Sequence, residues 1–280
     1  MPPESLDSRY EKMQEIIRSL GRVAVAFSAG VDSTLVLRVA VDVLGPENVI
    51  AVTGRSGSLA QAEFEAAQVL ASEIGAELVV LDTREIENDN YAANPENRCY
   101  YCKTTLYTAM RDYIAGRGIT AIINGINADD YDDWRPGIQA AGEQAVRCPV
   151  AEAGLTKADI RELSRRLGLE TYDKPASPCL ASRVQYGERI TPEKLQRIES
   201  CEAFLHKMGL RECRVRHHYN LARIEVPADR VAELAEPQTR RRIIEHFRQA
   251  GYNYVTLDLQ GFRSGSMNEV IAFGKVQPPL

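Results

Sequence analysis

Residues 28–34 read Ser28-Ala29-Gly30-Val31-Asp32-Ser33-Thr34, directly after the apolar run 23–27 and directly before an apolar helical pattern at 33–44. Small residues let a backbone curl until successive N–H groups face one anion. A helix starting there adds the positive end of its dipole. Ser28 and Ser33 bring hydroxyls suited to phosphate oxygens, and Asp32 brings a carboxylate able to hold a bridging magnesium ion. No Lys follows with the Gly-x-x-x-x-Gly-Lys spacing, so this is not the lysine-bearing phosphate loop. The competing reading of the same residues is a helix cap surrounded by small side chains.

A second group of reactive residues is Cys99-Tyr-Tyr-Cys102, placed between a third strand and the next helix, with Cys179 in a proline-rich stretch. A C-x-x-C pair alone fits a metal, a redox couple or chance. Zinc calls for a fourth ligand, and Cys148, Cys201 and Cys213 lack paired spacing. Three thiolates suit a 4Fe-4S cluster with one iron left open, which is a way to present reactive sulfur. Catalytic thiols without a cluster, or a zinc or structural role, remain open on the residues alone. Cys148, in a strand-like stretch, and Cys201, within a helix, read as core. His217 and His218 are strand neighbours facing opposite ways, so a shared metal is not expected.

The elements that must position these groups alternate. Strands are expected at 23–27, 48–53, 77–81 and 119–124, with helices at 33–44, 59–74 and 103–115. That alternation, with nearly continuous apolar strands, predicts a Rossmann-like α/β fold with a parallel sheet covered on both faces. Ligands of such sheets bind beyond the carboxyl ends of the strands, next to residues 28, 53, 82 and 125. A helix is expected from a Thr156 cap to about residue 167. The proline-rich stretch 172–179 cannot be regular helix or central strand, and the domain boundary is placed just past it, giving domains 1–180 and 181–280. The second reads as a smaller α+β domain. It has a helix started by Thr191-Pro192, strands at 213–217, 221–226 and 254–259, and helices at 228–235 and 238–250.

Composition limits the function classes. The chain has 280 residues, 44% hydrophobic and 26% charged, which excludes a disordered or low-complexity protein. No apolar run approaches the roughly 18 residues of a membrane helix, and the polar start carries no secretory apolar region. Six cysteines are too few for a disulfide scaffold, so a reduced, cytoplasmic setting is expected. Net charge is −5, divided as 16 Lys/Arg against 12 Asp/Glu over residues 181–280 and 18 against 27 before them. That argues against a general nucleic-acid binder and leaves room for an anionic ligand on the rear segment.

The loop at 28–33 resembles the PP-loop, Ser-Gly-Gly-x-Asp-Ser, of ATP pyrophosphatases of the adenine nucleotide α-hydrolase type. Ala29 stands for the first Gly, which asks for an angle there that an L-residue tolerates. Four further stretches widen the likeness. They are residues 124–137, Asn124-Gly125-Ile-Asn-Ala-Asp-Asp-Tyr-Asp-Asp-Trp-Arg-Pro-Gly137; Lys174-Pro-Ala-Ser-Pro-Cys179-Leu-Ala-Ser-Arg183; Arg214-Val-Arg216 with Arg223-Ile-Glu225; and Gly261-Phe-Arg-Ser-Gly265. Together they resemble the LarE sulfur transferases over most of the chain. The resemblance implies an enzyme that uses ATP and Mg²⁺ to adenylate the carboxylates of a pyridinium dicarboxylate mononucleotide, releasing pyrophosphate. Sulfur then replaces an oxygen, a step towards the nickel-pincer nucleotide.

One version of that family sacrifices the sulfur of a single cysteine, matched here by Cys179. Another holds a 4Fe-4S cluster on three, matched by Cys99, Cys102 and Cys179, and this chain resembles the second. The resemblance further implies adenine contacts at Thr53, nucleotide contacts at residues 28–33 and Gly125, and Arg183 neutralising a phosphate beside the Cys179 thiolate. It implies Arg214 and Arg216 on the mononucleotide phosphate, with Glu225 positioning a ligand or pairing with Arg223. Asp129 is the member of the acidic run 129–133 considered for magnesium, the other reading being a solvated loop. A homo-oligomer is implied, with sulfide or another sulfur donor. Competing classes are a tRNA thiolase, which needs a basic grip on RNA; a ligase resembling NAD synthetase, which needs no cysteines; and a non-catalytic iron–sulfur or nucleotide sensor.

Overall fold

The computed structural model describes residues 4–132 and 135–263, in two compact units. Met1–Glu85 with Asn97–Ser177 form the first, and Ile86–Glu96 with Pro178–Leu280 the second. Among the described residues no helix is long and apolar enough to cross a membrane.

The first unit is built on four parallel strands, β1 (Val23–Ala26), β2 (Val49–Arg55), β3 (Glu77–Asp82) and β4 (Ala121–Ile123), in the order β3-β2-β1-β4. Val23 pairs with Val49 on one side and with Ala121 on the other. Successive side chains leave opposite faces of a strand, and the core divides accordingly. Val23, Val25, Val49 and Ala51 pack with one buried cluster, and Ala24, Ala26, Ile50 and Val52 with another. Two buried faces explain why these strands read as unbroken apolar runs instead of alternating ones.

Helices α1 (Leu6–Leu20), α2 (Val31–Leu44) and α3 (Gln61–Ile74) supply side chains to the first cluster, with Met13, Ile17, Leu35 and Ala67 buried there. Helix α4 (Arg98–Ile114) gives Tyr107 and Met110 to the second. Two helices depart from the sequence expectation. The polar start of the chain contains α1, capped by Ser5, whose hydroxyl accepts from Ser8 N at 3.1 Å. Helix α4 begins at Arg98, not at 103, so Cys99 and Cys102 lie inside its first turns and not in the loop before it. Helix α5 (Pro136–Glu143) follows, and then α6 (Lys157–Arg166). As expected, Thr156 caps α6, and it does so through a capping box in which Thr156 and Asp159 satisfy each other's backbone N–H.

The second unit holds α7 (Pro192–Lys207), capped by Thr191, and α8 (Pro237–Gln249). They pack on a three-stranded sheet of β5 (Arg214–His218), β6 (Leu221–Glu225) and β7 (Tyr254–Leu257). Strand β5 runs antiparallel to β6, and β7 parallel to it. Leu205, Val215, Ile224, Ile243 and Phe247 fill its core. Within this unit the Asn94 side-chain amide donates to the carbonyls of Val184 (3.2 Å) and Gln185 (2.8 Å), which fastens residues 86–96 to it.

Because α6 is set by its cap, Thr156→Ala should lower unfolding free energy by about 1 kcal/mol. Urea unfolding should show an earlier midpoint at unchanged slope; an unaltered midpoint would remove the capping box from the stability of the unit.

Candidate active site

Strand β1 ends at the sheet's carboxyl edge, and the chain turns there into α2 through residues 27–30. Ser33 Oγ donates to Gly30 O (3.2 Å) and accepts from Ser28 N (3.2 Å). The proton shared by the Ser28 and Ser33 hydroxyls (3.1 Å) therefore comes from Ser28. Ala29 is fully buried with φ +56°, in the left-handed region. The sequence led us to expect an angle comfortable for an L-residue. The site instead keeps the turn that glycine favours and carries a cost of about 1–2 kcal/mol.

Helix α2 starts at Gly30 with no side-chain cap, and the first amide to bond backwards is Thr34 N, to Gly30 O (2.9 Å). The preceding N–H groups are thus left for a ligand, as an anion-binding helix start requires. Gly125, just past β4, lies against this start. A Cβ there would stand 2.8 Å from both Asp32 C and Ser33 N. Only a glycine lets the two loops approach so closely.

Asp32, in the first turn of α2, is held by Lys157 Nζ at 2.5 Å and faces Asn127 Nδ2 at 3.5 Å. Lys157 also donates its backbone N–H to Asp129 Oδ2 (2.8 Å), so one residue gathers Asp32 and Asp129. Asp130 accepts from Asn127 N (3.1 Å) and pairs with Arg135 (2.5 Å). The acidic run is therefore an ordered turn as far as Asp132, and its last residue, Asp133, lies outside the described residues together with Trp134. Among the described residues no three Cys, His, Asp or Glu side chains are grouped as a metal site. Asp32 keeps partial exposure and a carboxylate suited to magnesium at the phosphate loop.

A second lysine reaches the loop as well. Lys174 Nζ donates to Ala29 O (3.1 Å) and pairs with Glu63 Oε2 (2.8 Å). Sequence reasoning assigned no role to Lys157 or Lys174, because isolated lysines far along the chain carry no spacing signature. Thr53 is buried in β2, and its hydroxyl donates to Phe27 O (2.8 Å), tying β2 to the point where the loop leaves β1.

None of the six cysteines is in a disulfide, and they divide by exposure. Cys99 is exposed, Cys102 and Cys179 are half-buried, and Cys148, Cys201 and Cys213 are buried. Burial pushes the Cys148 thiol up to about 11 and those of Cys201 and Cys213 to about 12. The core reading of Cys148 and Cys201 agrees with this, though Cys148 precedes a short helix and is not in a strand. Cys99 and Cys102 are three residues apart on one face of α4.

In the second unit, Cys179 opens a 3₁₀ turn, Leu180–Arg183, and its carbonyl accepts from Ser182 N (2.9 Å) and Arg183 Nη1 (3.1 Å). Arg183 is buried and pairs bidentately with Glu202, both contacts at 3.0 Å. Its charge is met by that carboxylate, so the arginine sets the backbone that carries Cys179. Arg214 and Arg216 share a face of β5 but are buried, unlike edge-strand surface arginines. Arg216 bonds Glu225 (2.8 Å), and Glu225 also pairs with Arg223 (3.2 Å). Arg214 donates to Cys213 O (2.7 Å) and lies over the Phe262 ring at 5.0 Å. Burial first, and then the Arg183 charge, lower the pKa of Arg214 from the usual guanidinium value. His217 and His218 do face apart, towards Tyr252 Oη (2.9 Å) and Gln185 Oε1 (3.0 Å). Of the closing motif 261–265, residues 264 and 265 lie outside the described residues.

Residues 9–102 match the family profile of NAD synthase. The chain is 45% identical over 266 residues to an uncharacterized protein of Synechocystis sp., covering 95% of this chain and 99% of that protein. It is 38% identical over 267 residues to the pyridinium-3,5-bisthiocarboxylic acid mononucleotide synthase of Lactiplantibacillus plantarum, covering 95% and 96%. A shorter likeness, 32% over 147 residues, joins 49% of this chain to 37% of the argininosuccinate synthase of Halobacterium salinarum.

Two outcomes follow from this geometry. Gly125→Ala should weaken Mg·ATP binding at least tenfold, because the new methyl meets backbone and not a movable side chain; unchanged affinity by calorimetry would separate Gly125 from the phosphate loop. Iodoacetamide at pH 8 should label Cys99 in the folded, metal-free protein and leave Cys148, Cys201 and Cys213 unmodified, since fewer than about one in a hundred of those thiols is ionised there. Peptide mass mapping reads both.

Proposed function

The chain belongs to the LarE family of PP-loop enzymes, and from that premise we propose that it is an ATP-dependent sulfurtransferase. It converts the carboxylates of pyridinium-3,5-biscarboxylic acid mononucleotide to thiocarboxylates in nickel-pincer nucleotide synthesis. The observation that carries this reading is the bare start of α2 behind the left-handed Ala29, with Asp32 and Lys157 at its rim.

A carboxylate oxygen of the acceptor attacks the α-phosphorus of ATP, the α–β bridging bond breaks, and pyrophosphate leaves. The acyl-adenylate then loses AMP when sulfur attacks the carbonyl carbon. The first step is needed because an oxide is a poor leaving group and AMP a good one. N–H groups of residues 30–33 receive the charge that builds on pyrophosphate. Asp32 would hold magnesium, and Lys157, whose ammonium rests on that carboxylate, would then be available to the phosphates. Magnesium, when bound at Asp32, supplies charge neutralisation across the phosphate oxygens. Thr53 is assigned to the adenine, which would lodge beside β2. Arg214 and Arg216 are assigned to the mononucleotide phosphate, with Glu225 orienting Arg216.

Sulfur delivery is assigned to a 4Fe-4S cluster, which Cys99, Cys102 and Cys179 would hold and which would supply the sulfur that displaces AMP. In support, the three thiols with access to solvent are those three, and the others are buried. A reduced, cytoplasmic homo-oligomer fed by sulfide or another sulfur donor completes the reading. The acidic first unit disfavours the tRNA thiolase alternative.

Protein purified without oxygen should be brown and carry about three to four irons per chain. Cys99→Ala and Cys102→Ala should each lose that absorbance, while Cys179→Ala should still release pyrophosphate but form no thiocarboxylate. Thiolation by Cys179→Ala at the normal rate would overturn the sulfur role. Colourless protein that loses one sulfur from Cys179 per turnover would replace the cluster with the sacrificial route.

A further inference from the structure

The phosphate loop contains a conformation its own residues do not favour. Ala29 occupies the left-handed region without the freedom of glycine. Nothing within residues 28–33 offsets this, since the hydrogen bonds of Ser28 and Ser33 run to each other and to Gly30. The compensating contact comes from 145 residues further along the chain, where Lys174 Nζ donates to Ala29 O at 3.1 Å.

Lys174 is itself fixed from two sides. Its ammonium pairs with Glu63 on α3 at 2.8 Å, and both groups are mostly shielded from solvent. Its backbone is clamped by Arg161 of α6, which donates to the carbonyls of Tyr172 (2.6 Å) and Lys174 (3.1 Å). A left-handed residue among right-handed ones aims successive N–H groups into one concavity. The same turn sends the Ala29 carbonyl towards the lysine. That carbonyl's lone pairs would repel a triphosphate if the peptide flipped, so a cation holding it outward favours the receptive form of the loop.

We propose that Lys174 is a positioning residue for the nucleotide phosphates: it holds the Ala29 carbonyl, with Glu63 holding the lysine, so that residues 30–33 present their N–H groups to the triphosphate. The inference rests on residues 28–33 being the triphosphate site, and not on which acceptor is adenylated.

Mg·ATP binding measured by calorimetry tests it. Lys174→Met should raise the dissociation constant by about tenfold, the loss expected for a charge-assisted hydrogen bond, and Lys174→Arg should recover most of it. Ala29→Gly added to Lys174→Met should bring the affinity back to within about twofold of Ala29→Gly alone, because glycine holds the left-handed turn unaided. Glu63→Gln, which leaves the lysine in place, should give a smaller loss that Ala29→Gly also removes. Wild-type affinity in Lys174→Met would overturn the proposal. So would failure of Ala29→Gly to rescue a folded Lys174→Met or Glu63→Gln variant, which would mean that the lysine touches the phosphates itself. A wild-type protein that binds Mg·ATP but forms no thiocarboxylate would end the proposed function and leave this test intact.

Discussion

At Ala29 the chain accepts an unfavourable left-handed turn so that a helix can begin bare, and the surrounding structure is arranged around that turn. The β1–β2 pairing, fastened by Thr53 to Phe27 O, fixes where the turn begins. Gly125 gives up its side chain so that the loop after β4 can close against Asp32 and Ser33. Lys157 and Lys174 reach in from residues far along the chain, one to the Asp32 carboxylate and one to the Ala29 carbonyl. Each of these features is costly or idle in a protein without an anion to hold, and together they describe a receptor for phosphate. Each lysine is balanced by a carboxylate, Lys157 by Asp32 and Lys174 by Glu63, so what a first unit with excess acid offers an anion is the N–H groups and dipole of the bare helix start.

Burial divides the six cysteines into two groups of three. Desolvation keeps Cys148, Cys201 and Cys213 protonated, which removes them from nucleophilic and metal chemistry. Cys99, Cys102 and Cys179 keep access to solvent. Around Cys179 the Arg183–Glu202 pair fixes backbone, and buried ion pairs of this kind define geometry more dependably than they add stability. Arg216, Glu225 and Arg223 repeat the device on β5 and β6.

Much of this was legible in the residues. Apolar runs of strand length alternating with helical patterns gave the parallel sheet, and small residues at 28–33 located the loop, because both depend on local sequence. The caps at Thr156 and Thr191 were equally local. Helix α1 was missed because its buried face rests on few side chains, Met13 and Ile17 among them, within a polar stretch. The C-x-x-C pair was placed ahead of its helix although Asn97 is a residue type that favours a helix start, and α4 does start there, without a side-chain cap hydrogen bond. The left-handed angle at Ala29, the crowding at Gly125 and the two lysines were invisible for another reason: each arises only when segments distant in sequence meet. Arg214 and Arg216 could be put on one strand face by their spacing, but their burial depends on Glu225 and Phe262, which spacing does not report.

The most direct test of the central claim follows oxygen. Acceptor whose carboxylates carry heavy oxygen is incubated with the enzyme, Mg·ATP and a sulfur donor, and the nucleotide product is analysed by mass spectrometry. Attack of the carboxylate on the α-phosphorus, followed by displacement with sulfur, places one heavy oxygen in AMP for each thiocarboxylate formed. Heavy oxygen in inorganic phosphate alongside ADP, or thiocarboxylate formed with unlabelled AMP, would contradict the account.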